Sequence, residues 1–215
     1  MSSNKYSVIA VILLVLCVFK NECFEINIES SESDPPPPAW DNQFVFLASV
    51  ENTADGSVSS VQTYYDWTTK SMAQVMTSYI GQEFTILNLV NQTWRVNVGQ
   101  QTCCLCTNPY SCGNASPPIP TWLQGNETKY VGVTEINERD CNGWVAYSPV
   151  AEFGWWTSVK TGQPCQLSWL LGETINMVMS YYSNDPANVP SAVFELPSYC
   201  PHVATDPNCN ISSFN

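Results

Sequence analysis

The sequence predicts an antiparallel all-β domain, because its hydrophobic pattern repeats every two residues. Residues 93–98 alternate polar and apolar side chains, and residues 174–181 do the same. Such alternation is typical of strands with one buried and one solvated face. The apolar positions of the second run share one predicted face: Ile175, Met177, Met179 and Tyr181.

Further runs support this fold class, since they are short, rich in aromatic and β-branched residues, and separated by Gly, Asn, Asp or Pro. These predicted strands are 43–50, 58–67, 84–89, 130–136, 143–148, 153–159 and 165–171. The segment between Thr69 and Gly81 is ambiguous, because its apolar residues also lie at helical spacing. We favour a strand there. The apolar residues concerned are Met72, Val75, Met76, Tyr79 and Ile80.

The chain begins like a secretory protein. Lys5 precedes an apolar run over residues 8–19, which at about a dozen residues is shorter than the roughly 20 that a membrane-spanning helix needs. We expect a signal peptide over residues 1–22, cleaved between 17 and 23, and a secreted protein that does not span the membrane. An acidic, proline-rich lead-in should follow over 23–41, then one β domain over 42–209 and a tail over 210–215.

Cysteines exported to an oxidising compartment form disulfides with one another. Cys103 and Cys106 also have the C-x-x-C spacing of zinc or redox sites, but no second such pair follows and the single histidine, His202, is distant in sequence. Disulfides are therefore favoured, with one cysteine left unpaired or bridging two chains. The nine cysteines expected after cleavage are Cys23, Cys103, Cys104, Cys106, Cys112, Cys141, Cys165, Cys200 and Cys209.

Glycosylation sequons agree with secretion. They place candidate acceptors at Asn91, Asn114, Asn126 and Asn210.

The net charge of −12 repels phosphate backbones, so nucleic-acid binding is excluded. The same acidity attracts calcium, and Glu135, Glu138 and Asp140 form a local cluster. There is no EF-hand loop, and exposed carboxylates more often confer solubility than bind metal. We therefore assign no metal ligands.

The sequence predicts no enzyme. A catalytic triad would depend entirely on His202, and no nucleophile elbow, paired-histidine metal motif, P-loop or dinucleotide motif occurs. Glycoside hydrolysis stays open, because its carboxylate pair leaves no spacing signature. The loop over residues 107–124 is long for a compact domain. Loops of this length are usually functional lids or tethered excursions from the domain.

Several spaced motifs in the C-terminal half resemble the ependymin-related proteins. They are Gly-Trp-Val at 143–145, Phe-Gly-Trp-Trp-Thr-Ser-Val at 153–159, Pro-Cys at 164–165 and Phe-x-Leu-Pro-x-x-Cys at 194–200. Upstream, Tyr-Tyr-Asp at 64–66 is similar to that family's turn, with Lys70 where arginine is usual. The doubled Cys103 and Cys104, the additional Cys141 and the proline-rich insertion after Cys112 depart from the family pattern.

The resemblance implies a secreted or lysosomal glycoprotein whose curved antiparallel sheets enclose an apolar pocket, as in bacterial lipoprotein carriers. It also implies lipid binding, calcium association, homodimers and no enzymatic reaction. For the cysteines, it implies that Cys23 pairs with Cys165, and that Cys200 and Cys209 find partners between Cys103 and Cys112.

We therefore expect a lipid or another hydrophobic ligand in a β-lined pocket. The aromatic content, with eight Trp and ten Tyr, supports this expectation. The alternatives are a secreted carbohydrate-binding or carbohydrate-active protein and a calcium-dependent matrix or adhesion protein. The candidate pocket residues are Tyr65, Trp67, Trp94, Val96, Trp155, Ile175, Met177 and Met179.

Overall fold

A computed structural model describes residues 34–52, 58–77, 81, 83–106, 117–125, 127–148, 152–170 and 174–200. The chain divides into two units, Met1–Pro35 and Pro36–Asn215, and the fold below is that of the second. The predicted signal peptide, most of the lead-in and the C-terminal tail lie outside the described residues. No helix in the described part is long and apolar enough to cross a membrane.

The all-β prediction is confirmed, since eleven antiparallel strands form one curved sheet. In chain order they are β1 Gln43–Asn52, β2 Val58–Asp66, β3 Ser71–Thr77, β4 Glu83–Leu89, β5 Gln92–Asn97, β6 Thr102–Leu105, β7 Thr128–Ile136, β8 Arg139–Tyr147, β9 Glu152–Ser158, β10 Pro164–Leu170 and β11 Thr174–Ser183. Short 3₁₀ helices occur at Trp122–Gln124, Pro186–Asn188 and Ser191–Phe194.

The strand order is β6-β5-β4-β3-β2-β1-β11-β10-β9-β8-β7. Strands β1 to β6 therefore form a first meander and strands β7 to β11 a second one, in which each strand pairs with its neighbour in sequence. The two meanders are joined where β1 pairs with β11. The ambiguous segment is a strand over Ser71–Thr77, and its predicted residues Tyr79 and Ile80 lie outside the described part.

Two predicted details need correction. Strand β8 begins at Arg139, earlier than the predicted residue 143, because Asn137 and Glu138 adopt positive φ angles of 47° and 60° in a tight hairpin turn. Asn-Glu lacks the glycine that usually marks such turns. Tyr181 does not share a face with Met179, because the β1–β11 register shifts between Leu47 and Ala48. The resulting bulge places Tyr182 on that face instead.

The sheet has an inner face and an outer face. Residues directly opposite each other on paired strands share a face, so the register assigns each side chain. The inner face carries one large buried cluster, here called the inner cluster. It consists of Trp40, Phe44, Phe46, Ala48, Val50, Val61, Tyr65, Leu123, Trp144, Trp155, Met177 and Met179.

The outer face of the first meander carries a second cluster, here called the outer cluster. Its buried members are Ala73, Leu87, Trp94, Val96 and Cys200. Residues 186–200, the C-terminal segment, cover it: Phe194, Leu196 and Tyr199 pack against it. The outer face of the second meander carries a small cluster of Ile136, Cys141 and Cys165, against which Trp156 packs.

The predicted disulfide chemistry is confirmed for the cysteines that the structure describes. Cys103 bonds to Cys200, and this partner comes from the cysteine group that the resemblance implied. Cys165 bonds to Cys141, so the implied pairing with Cys23 is wrong. The register explains this, because Cys141 and Cys165 lie on one outer surface, on the two strands that flank β9. Cys104 and Cys106 are also disulfide-bonded.

Candidate ligand-binding site on the inner face

The centre of the inner face is built by aromatic residues on β1 and β2. Phe44 lies directly opposite Tyr65, and their rings stack with centroids 4.6 Å apart. Phe46, two residues further along β1, points the same way and lies 6.1 Å from the Phe44 ring. Tyr182, which the bulge turns inward, lies 5.6 Å from the Phe44 ring. These rings form a continuous apolar surface.

Trp40 lies over this surface although it precedes the first strand. Its ring makes edge contacts with Phe44 at 5.3 Å, Tyr65 at 5.4 Å and Trp122 at 5.5 Å. It also packs against Trp155, with centroids 4.9 Å apart. The end of the lead-in thus bridges the two meanders on the inner side of the sheet.

The described end of the long 107–124 loop lies on the same face. Leu123 is fully buried in the inner cluster. Two hydrogen bonds hold this described end: the Trp40 backbone N–H donates to the Pro120 carbonyl at 2.8 Å, and the Tyr65 hydroxyl donates to the Pro118 carbonyl at 2.6 Å. Two segments outside the sheet, residues 38–41 and 117–124, therefore cover the inner face. We call them the covering segments.

Four buried polar atoms in this region have no hydrogen-bond partner among the described residues: Trp40 Nε1, Trp122 Nε1, Thr63 Oγ1 and Asn88 Oδ1. The two tryptophans belong to the covering segments. Thr63 lies on the inner face of β2 between Val61 and Tyr65. Asn88, on β4, lies opposite Met72 of β3. A buried polar group without a partner costs about 1–3 kcal/mol. The inner face therefore offers donors and acceptors that a bound molecule would satisfy.

A cavity of about 360 Å³ lies at one end of the inner face, where β1 begins and β11 ends. Trp40, Trp155 and Tyr182 line it, and each also belongs to the inner cluster or packs against it. At its edge, Asp41 Oδ2 accepts hydrogen bonds from the Tyr182 hydroxyl at 2.5 Å and from Asn184 Nδ2 at 3.3 Å. Burial, and then the hydrogen bond to Asp41 and its charge, raises the pKa of Tyr182. Tyr182 is therefore a neutral donor at physiological pH.

The Tyr-Tyr-Asp motif has a structural role at the end of β2. Asp66 accepts hydrogen bonds from Gln43 Nε2 at 2.9 Å, the Thr68 backbone N–H at 2.8 Å and the Thr68 hydroxyl at 2.6 Å. Burial by itself raises the pKa of the Asp66 carboxyl, but these hydrogen bonds outweigh it and hold that pKa below its usual range. The carboxylate closes the β2–β3 turn, where Lys70 adopts a positive φ of 53°.

A family model described as a domain of unknown function, DUF8395, matches residues 39–200. The match spans the sheet, both covering segments from Ala39 onward, and the C-terminal segment. The chain belongs to this family. No curated protein sequence matches the chain.

Solved structures show distant likenesses to this DUF8395 domain. An uncharacterised conserved protein of Thermus thermophilus has a TM-score of 0.48 at 10% identity, covering 74% of this chain and 87% of its own. The lipoprotein LppX of Mycobacterium tuberculosis has 0.37 at 14%, covering 68% and 89%. A LolA superfamily protein of Nitrosomonas europaea has 0.40 at 9%, covering 73% and 91%. At these identities and TM-scores the likenesses decide nothing about the ligand.

The DUF8395 fold brings most of the candidate pocket residues together. Those on the inner face are Tyr65, Trp67, Trp155, Ile175, Met177 and Met179. Trp94 and Val96 lie instead on the outer face, in the outer cluster beneath the C-terminal segment. The period-two pattern of β5 shows which residues share a face but leaves open which face is the inner one.

Several inner-face residues are not among the candidates. Phe44 and Phe46 alternate along the predicted strand over 43–50, and Trp144 lies in the Gly-Trp-Val motif, so periodicity alone points to them. Trp40 and Leu123 carry no such signal, because they belong to segments outside the strands. Their positions depend on tertiary contacts.

The remaining predicted sites fall on turns or outside the described residues. Asn91 is exposed at the β4–β5 turn, while Asn114, Asn126 and Asn210 are not described. Glu135 lies opposite Asp140 on the β7–β8 hairpin, and Glu138 occupies its turn. Within the described ranges, no group of three acidic, histidine or cysteine side chains is arranged to hold a metal ion.

Proposed function

We propose that this protein binds a lipid or another hydrophobic small molecule on the inner face of its sheet. One observation carries the proposal: among the described residues, two segments outside the sheet cover the aromatic inner face, and neither a second sheet nor a layer of helices lies over it. The described end of the 107–124 loop is held by the two hydrogen bonds to Pro118 and Pro120, and its displacement would break no strand pairing. A concave apolar surface with few polar groups is also the usual form of a ligand site.

The energetics allow exchange of the 117–124 segment for an alkyl chain. Each buried methylene contributes about 0.8 kcal/mol, so a chain of about ten carbons gains about 8 kcal/mol before costs. Displacing Leu123 and Trp122 returns part of that gain, and ordering the ligand costs several kcal/mol more. The gain and these costs are of similar size, so the exchange is close to balanced and binding would be reversible.

The unpaired polar atoms support a ligand with a polar group. The indole N–H of Trp40, which stays in place, would donate to a carbonyl or hydroxyl oxygen, and Asn88 Oδ1 would accept from a hydroxyl. Satisfying them recovers the desolvation cost that the protein alone carries. The ligand class that fits best is therefore a lipid with at least one hydrogen-bonding group.

We also propose that the protein is secreted, since the disulfides Cys103–Cys200 and Cys141–Cys165 suit an oxidising compartment. Relationship to the ependymin-related proteins, a lysosomal destination, calcium association, homodimers and the absence of enzymatic activity stay predictions of the sequence. The carbohydrate and matrix alternatives stay predictions as well.

The test is lipid extraction and mass spectrometry on protein purified without detergent from a secretory host, followed by uptake of a long-chain monoacylglycerol.

Neighbouring positions on β3 provide a matched pair of variants. Met76 packs against the inner cluster, whereas Val75 points to the outer face, and both are half-buried. Met76→Arg should reduce uptake about tenfold or more, since it places a charge beside the apolar chain. Val75→Arg should leave uptake within about twofold.

Circular dichroism and thermal melting would confirm that both variants fold. A wild-type protein that contains no lipid and takes up none would refute the proposal. Equal loss in the two arginine variants would show that uptake does not occur on the inner face.

A further inference from the structure

We infer that the cavity beside Asp41 takes the positively charged head group of an amphiphile whose chain lies on the inner face. This inference rests on the proposed function and narrows the ligand class. Such an amphiphile needs the site of its chain, the inner face, to adjoin the site of its head group. The cavity beside Asp41 adjoins the inner face. Trp40, Trp155 and Tyr182 line the cavity and also belong to the inner cluster or pack against it, so the two regions share three aromatic rings.

The charge in the cavity has one sign. Asp41 is the only charged side chain among the described residues that line it. Both hydrogen bonds to its carboxylate, from Tyr182 and Asn184, go to Oδ2, which leaves Oδ1 without a partner among the described residues. Lys160 and Asp185 flank the lining segments in sequence but do not line the cavity. An anionic head group would therefore meet a carboxylate and no compensating base.

The aromatic lining favours the same sign. A cation near the ring of Trp or Tyr gains about 0.5–2 kcal/mol, depending on its exposure. The remaining lining side chains, among them Thr157, Thr161 and Gln163, are neutral. The volume of about 360 Å³ accommodates a trimethylammonium or ethanolamine group but not a long chain as well. The chain would have to continue onto the inner face.

The experiment compares three amphiphiles with the same twelve-carbon chain: dodecyltrimethylammonium, dodecyl glucoside and dodecanoate. Each is titrated below its micellar concentration into the purified full-length protein by calorimetry. Salt at about 0.15 M limits the influence of distant charges to about 8 Å. The trimethylammonium compound should bind about tenfold more tightly than dodecanoate, with the glucoside between them.

Two variants assign the preference to the cavity. Asp41→Asn keeps the size of the side chain and an acceptor for Tyr182 but removes the charge, so the tenfold preference should fall to about twofold. Glu135→Gln removes the same charge from an exposed site on β7, outside the cavity lining, and should leave the preference unchanged.

Each outcome decides one statement. If no amphiphile binds, the proposed function fails. If all three bind with equal affinity, or dodecanoate binds best, the inner face takes up lipid but the head-group inference is overturned. A trimethylammonium preference that survives Asp41→Asn, or that Glu135→Gln removes equally, also overturns it, because the preference would then arise from overall charge.

Discussion

The outer faces of the two meanders are completed in different ways. In the first meander, Leu87 and Trp94 are covered by the C-terminal segment, which the Cys103–Cys200 disulfide holds in place. In the second, Trp156 lies across Gly143 and Gly154, and a Cβ added at either glycine would lie 2.3 Å from a Trp156 ring atom. One half of the sheet recruits a distant part of the chain to bury its apolar surface. The other half has glycine at two positions, so that the single Trp156 ring lies flat against the backbone.

The difference has consequences for stability and for exposure. Trp94 is almost fully buried, whereas Trp156 is only half-buried and lies beside Gly143 together with the exposed Val131. The C-terminal segment therefore buries Trp94 more completely than the two glycines allow Trp156 to be buried. The flat arrangement depends on close packing between one ring and two glycines.

The largest expected effect comes from removing the two rings in turn. Trp94→Ala should lower the free energy of unfolding by about 3–5 kcal/mol, because it opens a large cavity in the outer cluster. Trp156→Ala should cost about 1–2 kcal/mol, since that side chain is already partly exposed to solvent. Denaturant unfolding followed by circular dichroism measures both, independently of tryptophan fluorescence. Equal losses would mean that the two outer faces are equally buried in solution.

A smaller effect is expected at the glycines beneath Trp156. Gly154→Ala would place a methyl group 2.3 Å from Trp156 Cη2 and 2.7 Å from Ser168 Oγ, so we expect a loss of about 1–3 kcal/mol. Gly125→Ala is the control, because nothing lies within 4 Å of its added Cβ.

The double variant Gly154→Ala with Trp156→Ala sharpens this test. Once the ring is absent, the added methyl group has less to displace, so the two losses should not add. Strict additivity in denaturant unfolding would contradict the close packing between Gly154 and Trp156.

The smallest effect concerns the turns. Asp66 closes the β2–β3 turn with hydrogen bonds, and its folded pKa is held below the usual value. Its contribution to stability is fully present above the ordinary aspartate pKa of about 3.9 and is lost as the pH falls through the folded value. Asp66→Asn should therefore lower stability at neutral pH and flatten the stability profile below about pH 4.

Unfolding curves measured between about pH 2 and pH 7 would test this. Glu138→Gln, at the β7–β8 turn of the second meander, is the matched control. An unchanged acid profile in Asp66→Asn would show that the carboxylate does not stabilise the first meander.

Strand positions can be predicted from the sequence because period-two alternation is a local signal. The runs that form β1, β5 and β9 stand out without any tertiary information. The choice of face cannot be predicted, which is why the sequence groups Trp94 with Trp155 although the two lie on opposite faces. The alternation also assigns Tyr181 to the inner face, which is wrong. A β-bulge shifts the register there, and the sequence pattern carries no sign of a bulge.

The candidate site is only partly predictable for a related reason. Tyr65, Met177 and Met179 lie on strands, and their periodicity places them together correctly on one face. Trp40, Leu123 and Asp41 lie on segments without a repeating pattern, so no local rule locates them. Cys141 stands out as an additional cysteine, but its pairing with Cys165 depends on how β8, β9 and β10 align.

The pairing of β1 with β11 also determines the order in which the protein is assembled. Each meander consists of hairpins between neighbouring strands, which form from residues close in sequence. The junction joins Val45 to Ser183, so during synthesis one edge of β1 stays unpaired until β11 has emerged. In that interval the edge of β1 is open to pairing with another chain.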